Sequence, residues 1–549
     1  MAGRSEQWEK TTLPALFLRG LAHGADREAL RVGGAGVSYG QLHRQALEWA
    51  GALRRAAPGR PVGVLATGGV TAYAGVLAAL YSGSAVVPVH PSFPPDHVRR
   101  MLGAASVGTV IADAAGTAAL AALARPSERA ADRPAVLAPD PQGTPPPGWP
   151  RLESDPERAA VGPHPLTEED TAYLLFTSGS TGTPKGVRIS HANAAAYFRV
   201  LDGRYDFRPD DTFSQTFDLN FDCAMFDLFC AWGSGARVVH VPAGAYPNLP
   251  RFLAAENVTV WFSAPSTIGL VRRTCGLAPG SLPTLRWSFF AGEALRNQDA
   301  ADWQRAADNS AVENLYGPTE LTVTIAAHRF DAGADPGNGG NGGVPIGTVH
   351  PGHRQLLLRD DGTTVIPGEE GASGEGSDPG EDAEGELCVS GPQLTPGYLD
   401  PTHGEGRFLE VDGARYYRTG DRVRRAAGGE LLYLGRRDNQ VQIQGRRVEL
   451  AEIDHALSGC STVAEAVTLA VHGDAGTDLV VFYTGTPVPP GALARELREA
   501  LPPGVLPKHY QHLDRLPLNS NRKVDRKVLS ETARSLVVGR RQDGFPLAR

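Results

Sequence analysis

Short apolar runs separated by stretches of helical length set the pattern of the first two-thirds of the chain. From residue 61 the alternation is regular: 62–66 reads as a strand, 70–81 as a helix, 85–89 as a strand, 95–105 as a helix and 107–112 as a strand. Buried strands that alternate with helices predict parallel βαβ units. Further strands are expected at 237–241, 258–263, 285–291 and 311–315. Phe221, Met225, Leu228 and Phe229 recur at the spacing of one helix face, which predicts a core helix there.

Other segments break the pattern. Residues 125–165 are rich in Pro, Asp and Arg, with 135–137 as the apolar exception, and are expected to be mostly an exposed connection. Segments 331–343 and 368–385 are Gly-rich, the second also acidic, and too poor in apolar surface to offset the entropy of ordering, so both are expected to be mobile. Around them 354–365, with Asp361-Gly362 at its turn, 386–390 and 430–434 read as antiparallel strands of a smaller β subdomain. Beyond these, 450–457 and 491–501 read as helices, and 463–471 and 478–483 as strands. That is a small α+β unit.

Composition excludes several classes. The 549 residues allow several domains, and 41% hydrophobic with 21% charged residues is ordinary for a soluble protein. A net charge of −8 argues against nucleic-acid or membrane binding, both of which need concentrated positive charge. Arg424-Arg425 and Arg446-Arg447 are read as solvated faces or salt-bridge partners. The five cysteines form no CxxC pair and are odd in number, which suits reduced thiols in a cytoplasm, and no structural metal is expected. The N-terminus lacks the charged-then-apolar order of a signal peptide, and no apolar run is long enough to span a bilayer.

The chemistry concentrates in Thr177-Ser-Gly-Ser-Thr-Gly-Thr-Pro-Lys185-Gly186, after the apolar run 172–176. Glycines let backbone N–H groups converge, hydroxyls add donors, and Lys185 adds charge, which together make a phosphate cradle. The Walker pattern does not fit, because Lys185 precedes its glycine. The chain has only five lysines, Lys10, Lys185, Lys508, Lys523 and Lys527, so a lysine kept in this loop is notable. A strand is expected to enter the loop, and a helix over 190–201, capped by Ser190, to leave it.

This stretch resembles the phosphate-binding signature of the adenylate-forming superfamily of acyl-CoA synthetases, luciferases and nonribosomal-peptide adenylation domains. The resemblance continues, in order, at Asn314-Leu-Tyr-Gly-Pro-Thr-Glu320, Tyr417-Arg-Thr-Gly-Asp421, Gly435-Arg436-Arg-Asp438 and Asn521-Arg-Lys523-Val-Asp-Arg526. It implies ATP and Mg²⁺ as cofactors and an α/β fold with a large N-terminal domain (1–437) of parallel α/β subdomains plus a β subdomain. A small mobile C-terminal lid (438–535), hinged at Asp438, and a tail (536–549) would follow. By the same resemblance Thr177, Ser178, Gly179, Ser180, Thr181, Gly182 and Lys185 cradle phosphate, Gly292 and Tyr316 sandwich adenine, and Asn314 reads its amino edge. Thr319 meets the α-phosphate, Glu320 holds Mg²⁺, Asp421 and Arg436 hold ribose, and Lys523 catalyses. Thr-Gly-Asp alone is a common turn; its position ahead of 435–438 makes it specific.

Resemblance also orients the acid-binding pocket. Asp222, more than its rival Asp218, matches the carboxylate that pairs with the α-ammonium in amino-acid-activating members. The pocket positions are Asp222, Cys223, Phe226, Phe262, Phe289, Ala291, Leu315, Val323 and Thr324, and three phenylalanines with a leucine leave room for a small side chain such as alanine, glycine or serine. The expected enzyme is a free-standing ligase that makes an aminoacyl-AMP and passes it to the phosphopantetheine thiol of a separate carrier protein, with Gly445 lining the thiol's tunnel. An acyl-CoA ligase is the alternative. Gln442, Gln444 and Arg522 depart from the family pattern, and the first two lie beside Gly445, where they bear on thioester transfer and not on adenylation. His90, where Asp is usual, is read as structural.

Overall fold

A computed structural model describes the chain except for residues 1–10, 124–128, 130–132, 141–142, 179–183, 334–341, 366–382, 427–428, 437–439, 474–475, 518–523 and 543–549. The strands Val62–Leu65, Val86–Val89 and Thr109–Ala112 pair in parallel, with helices Val70–Ser82 and Pro95–Ala104 between them in sequence. They belong to a sheet of eight described strands, and Glu28–Val32, Thr212–Gln215, Arg237–His240, Val260–Ser263, Trp287–Phe290 and Ala311–Tyr316 form the parallel part of a nine-stranded one.

Strand residues sort by face. Phe262 and Phe289 pack into the cluster between the two sheets, whereas their neighbours Trp261 and Phe290 pack on the outer face against helices Leu249–Ala255, Ser266–Thr274 and Asn297–Ala306. Both faces are covered, so the strands read as continuous apolar runs rather than alternating ones. The helices Tyr39–Ala56, Val70–Ser82, His191–Arg204 and Cys223–Ser234 lie between the sheets, and Val70–Ser82 is buried almost all round. Helix Leu13–Leu21 joins them by burying Leu13, Leu16 and Phe17.

Two expectations are adjusted. The described residues of 125–165 are mostly exposed or half-buried, but two short parallel strands run through them, Ala135–Leu137 and, at the sheet's edge, Arg151–Leu152, because Val136 and Leu137 extend the buried face begun by Val110 and Ile111. The phosphate loop is also not a strand-to-helix turn. Thr171–Thr177 enters it and Lys185–Ser190 leaves it as an antiparallel hairpin, with Thr177 opposite Lys185. Val187 and Ile189 alternate into the core, and Gly397–Tyr398 pairs with the hairpin's free edge. The helix His191–Arg204, capped by Ser190 with Asn193 in a capping box, therefore starts at the end of the hairpin far from the loop.

The β subdomain contains Arg354–Leu358, Thr364–Val365, Glu384–Ser390, Phe408–Val411, Ala414–Arg425 and Leu431–Arg436, all antiparallel. Most of 368–385, and 334–341 of the other Gly-rich segment, lie outside the described residues. Thr419-Gly-Asp421 is a bulge within the long strand: Gly420 has φ +76°, and the break in register re-aims Asp421. Then come the hairpin Gln440–Ile443 and Arg446–Glu449, helices Leu450–Ser458 and Pro490–Ala500, and the strands Val463–Gly473, Gly476–Gly485 and His509–His512. Helix Arg526–Gln542 runs through the expected start of the tail at 536. None of the five cysteines is in a disulfide, and no helix among the described residues is long and apolar enough to cross a membrane.

Candidate active site

The site residues gather beyond the carboxyl ends of the strands Val260–Ser263, Trp287–Phe290 and Ala311–Tyr316, where open α/β sheets bind ligands. Asn314 is buried, and its amide donates to the Val344 and Pro345 carbonyls at 3.3 and 2.8 Å. Both donors are thus committed, which leaves its oxygen as the group available to a ligand's amino edge. The Tyr316 hydroxyl donates to Asp421 Oδ2 at 2.6 Å, and Arg436 Nη1 donates to Asp421 Oδ1 at 2.6 Å. Gly292 has φ +87°, and a Cβ there would lie 3.3 Å from the Gly445 Cα.

On the phosphate side, Thr177 ends one hairpin strand and Lys185 begins the next. Burial lowers the Lys185 pKa, aided by the nearby charges of Arg407 and Arg447 and opposed by Glu449 and Glu320. Ser178 Oγ donates to the Arg447 carbonyl at 2.8 Å. Gly179, Ser180, Thr181 and Gly182 lie outside the described residues. Thr319 and Glu320 form a short 3-10 turn. Burial pushes the Glu320 carboxyl up, but Arg447 at 3.1 Å and the Tyr398 hydroxyl at 2.7 Å outweigh it and hold the group below the ordinary carboxylate range. A buried, ionised carboxylate beside a phosphate loop fits a hard divalent cation such as Mg²⁺.

The acid-binding positions lie deeper. Asp222 is 9% exposed at the start of helix Cys223–Ser234, its side chain caps nothing, and Oδ2 has no hydrogen-bond partner. Burial raises its pKa to about 6, against the Thr319 hydroxyl and the Cys223 N–H. Its rival Asp218 is half-exposed and paired with Arg446 at 3.3 Å. Phe226 meets Phe262 and Phe289 edge-on at 4.8 and 5.1 Å between ring centroids. Cys223, Ala291, Leu315 and Val323 belong to the same packed cluster, and Thr324 Oγ1 donates to the Tyr197 hydroxyl at 3.1 Å. Sequence reasoning missed Phe207, whose ring packs 6.1 Å from both Phe226 and Phe289, because it lies outside every motif.

The hairpin 440–449 reaches into this site. Gly445 N–H donates to Glu293 Oε1 at 3.1 Å, and a Cβ at Gly445 would touch the Phe217 ring. Arg447 is half-buried against the buried Glu320 carboxylate and donates to Gln440 Oε1, while Arg446 bridges Asp218, the Phe221 ring and the Pro503 carbonyl. Both arginines are thus salt-bridge partners, not solvated faces. Gln444 has φ +51°, and Gln442 Oε1 is buried without a partner. A cavity of 310 Å³ lined by Thr67, Gln215, Asp218 and His240 includes Phe217 and so adjoins the Gly445 contact. His90 bonds Ser92 within its own turn. Asp438 and Lys523 lie outside the described residues.

Residues 17–399 match the AMP-binding enzyme family. The chain belongs to that family and is an adenylate-forming enzyme. It is 33% identical over 460 residues to an L-proline–[L-prolyl-carrier protein] ligase of Pseudomonas fluorescens, covering 82% of this chain and 85% of that one. Among solved structures, IdnL7 is 51% identical with a TM-score of 0.72, covering 95% of this chain and 98% of that one. The Vibrio cholerae adenylation domain AlmE, solved with glycyl-adenosine-5′-phosphate, is 29% identical with a TM-score of 0.81 and the same coverage. Several other curated relatives are far longer, and the chain spans between 6% and 39% of their length.

Proposed function

We propose that this enzyme activates a small neutral amino acid as its aminoacyl-AMP and passes the acyl group to the phosphopantetheine thiol of a separate carrier protein. The observation that carries the reading is Asp222: a buried carboxylate with a free oxygen, beside Thr319 and Glu320 and walled by Phe226, Phe262 and Phe289. A carboxylate so placed needs a cationic partner, and a substrate ammonium supplies one. Three rings packed edge-on narrow this wall, which favours a side chain as small as a methyl or hydroxymethyl group. The glycyl-adenylate in AlmE supports the same size class.

In the first half-reaction a substrate carboxylate oxygen attacks the α-phosphorus of ATP in line and pyrophosphate leaves. Asn314 and Tyr316 hold adenine, Asp421 and Arg436 the ribose hydroxyls, and the loop 177–185 the phosphates, with Thr319 at the α-phosphate. Lys523 pairs with the attacking carboxylate and the α-phosphate. Preorganised donors of this kind contribute ~3 kcal/mol each to the transition state. Glu320 would hold Mg²⁺, which would supply charge neutralisation at the phosphates. No general base is required, because the attacking carboxylate is already ionised at neutral pH.

In the second half-reaction the carrier's thiol attacks the acyl carbon and AMP leaves. The path beside Gly445 and Phe217, continued by the adjoining cavity, suits an extended thiol arm. We place the boundary between the large domain and the lid at Asp438. The test is ATP–pyrophosphate exchange over a panel of amino acids and amine-free acids, followed by thioester assays with carrier protein or coenzyme A. Strong exchange with phenylalanine, tryptophan or a fatty acid, or equal thioester yield with coenzyme A alone, would refute the reading.

A further inference from the structure

The loop 316–325 carries residues from three parts of the site: Tyr316, the Thr319–Glu320 turn, and the pocket walls Val323 and Thr324. It closes by folding back sharply, so that Ile325 N–H donates to the Tyr316 carbonyl. The reversal depends on two consecutive β-branched residues in the left-handed region, Thr322 at φ +59° and Val323 at φ +66°. Residues of this shape are genuine outliers there and persist only when their surroundings hold them. Gly317 shows how tight the bend is: a Cβ on it would lie 2.6 Å from the Thr324 Cα.

One side chain fills the inside of the bend. Gln393 is fully buried, and its Nε2 faces three carbonyls of the loop, Leu321 at 3.0 Å, Thr322 at 3.3 Å and Thr324 at 2.8 Å. Its own carbonyl accepts from Thr322 Oγ1 at 2.7 Å. Gln393 is itself held from behind: His350 Nδ1 lies 3.2 Å from its Oε1, its N–H donates to His353 Nε2, and Asn193 Nδ2 donates to the flanking Pro392 and Leu394 carbonyls. The amide thus bridges the two sides of the strained pair. It meets the pocket position Thr324 at the main-chain carbonyl, so its role in the reaction is exerted through the loop.

We propose that Gln393 is a positioning residue for amino-acid selection: its amide holds Thr322–Val323 left-handed and thereby sets how far the Val323–Thr324 wall projects into the acid-binding pocket. This rests on the pocket assignment of the proposed function. Without the amide, three carbonyls lose a donor and the bend relaxes towards ordinary backbone, carrying that wall with it. Substrate size, more than nucleotide binding, should register the change.

The test is a double-mutant cycle of Gln393→Leu with Val323→Gly, since glycine adopts a positive φ at no steric cost. Gln393→Leu should raise the KM of the preferred small amino acid about tenfold or more and narrow its preference over valine or leucine, with the KM for ATP changed less than about threefold. In the Val323→Gly background the same substitution should cost less than about threefold. Equal cost in both backgrounds, or unchanged amino-acid preference, would overturn the proposal. If Gln393→Leu alone does not fold, the thermal midpoint decides: a folded double variant supports the staple, and failure of both variants overturns it. A wild type that exchanges with no amino acid would instead refute the proposed function, while the thermal cycle still reads the staple.

Discussion

Replacing Asp222 with Asn separates the energetic burden of the pocket carboxylate from its use. Burial raises this carboxyl from 3.8 to about 6, so the folded protein disfavours its charged form. A shift of this size corresponds to ~3 kcal/mol. The sign follows from linkage: the destabilisation is absent below pH 4, grows as pH rises through the interval to about 6, and is complete above it. Asn has nearly the same shape and no charge to desolvate. Asp222→Asn should therefore be more stable than wild type at pH 8, by ~1–3 kcal/mol, and indistinguishable at pH 4. Activity should move the other way. Removing one partner of a buried charge pair costs ~2–5 kcal/mol, or about 30-fold and upward in kcat/KM for the amino acid. Wild-type kcat/KM should fall as pH drops below about 6, and the residual activity of the variant should lack that limb. Calorimetry at the two pH values and exchange kinetics from pH 5 to 9 make the measurement. A variant that is less stable at pH 8, or that keeps wild-type kcat/KM, would show that the carboxylate is satisfied within the protein and does not wait for an ammonium.

Phe289→Ala should widen the accepted side chain towards leucine and phenylalanine in exchange assays, at a stability cost of ~3–5 kcal/mol because the ring is fully buried; an unchanged panel would remove it from the pocket. Lys523→Ala should abolish most ATP–pyrophosphate exchange while leaving ATP affinity within about threefold, since a group that acts on the transition state adds little to ground-state binding; wild-type exchange in the variant would refute the mechanism. Arg447→Ala leaves the Glu320 carboxylate without its 3.1 Å partner, and amide hydrogen exchange across 440–449 should accelerate by about tenfold or more, as breaking a buried pair costs ~3–5 kcal/mol. Unaltered protection would mean that the hairpin is held by its other contacts.

Much of this protein was legible in its sequence, for identifiable reasons. The strands around Val64, Val87 and Val110 were readable because both faces of a parallel sheet are covered, so each strand becomes an uninterrupted apolar run. The motifs around Lys185, Glu320 and Asp421 were readable because their glycines, hydroxyls and charged groups stand at fixed close spacing and in the family's order. Ser190 announced its helix because a cap acts within one turn. The hairpin at the phosphate loop was misread for the opposite reason: Val187 and Ile189 suit a strand only because a core lies on one side and Gly397–Tyr398 on the edge. Local residues therefore determined the fold class, the order of the elements and the chemistry on offer. Tertiary structure alone decided which carboxylate stands alone, since Asp218 and Asp222 share the same local sequence but only Asp218 meets Arg446, from 228 residues away. It alone placed Phe207 against Phe226, Arg447 on Glu320, and Gln393 inside a strained bend about seventy residues before it. Such contacts depend on where the chain returns in space, and the periodicity of any one segment carries no trace of that.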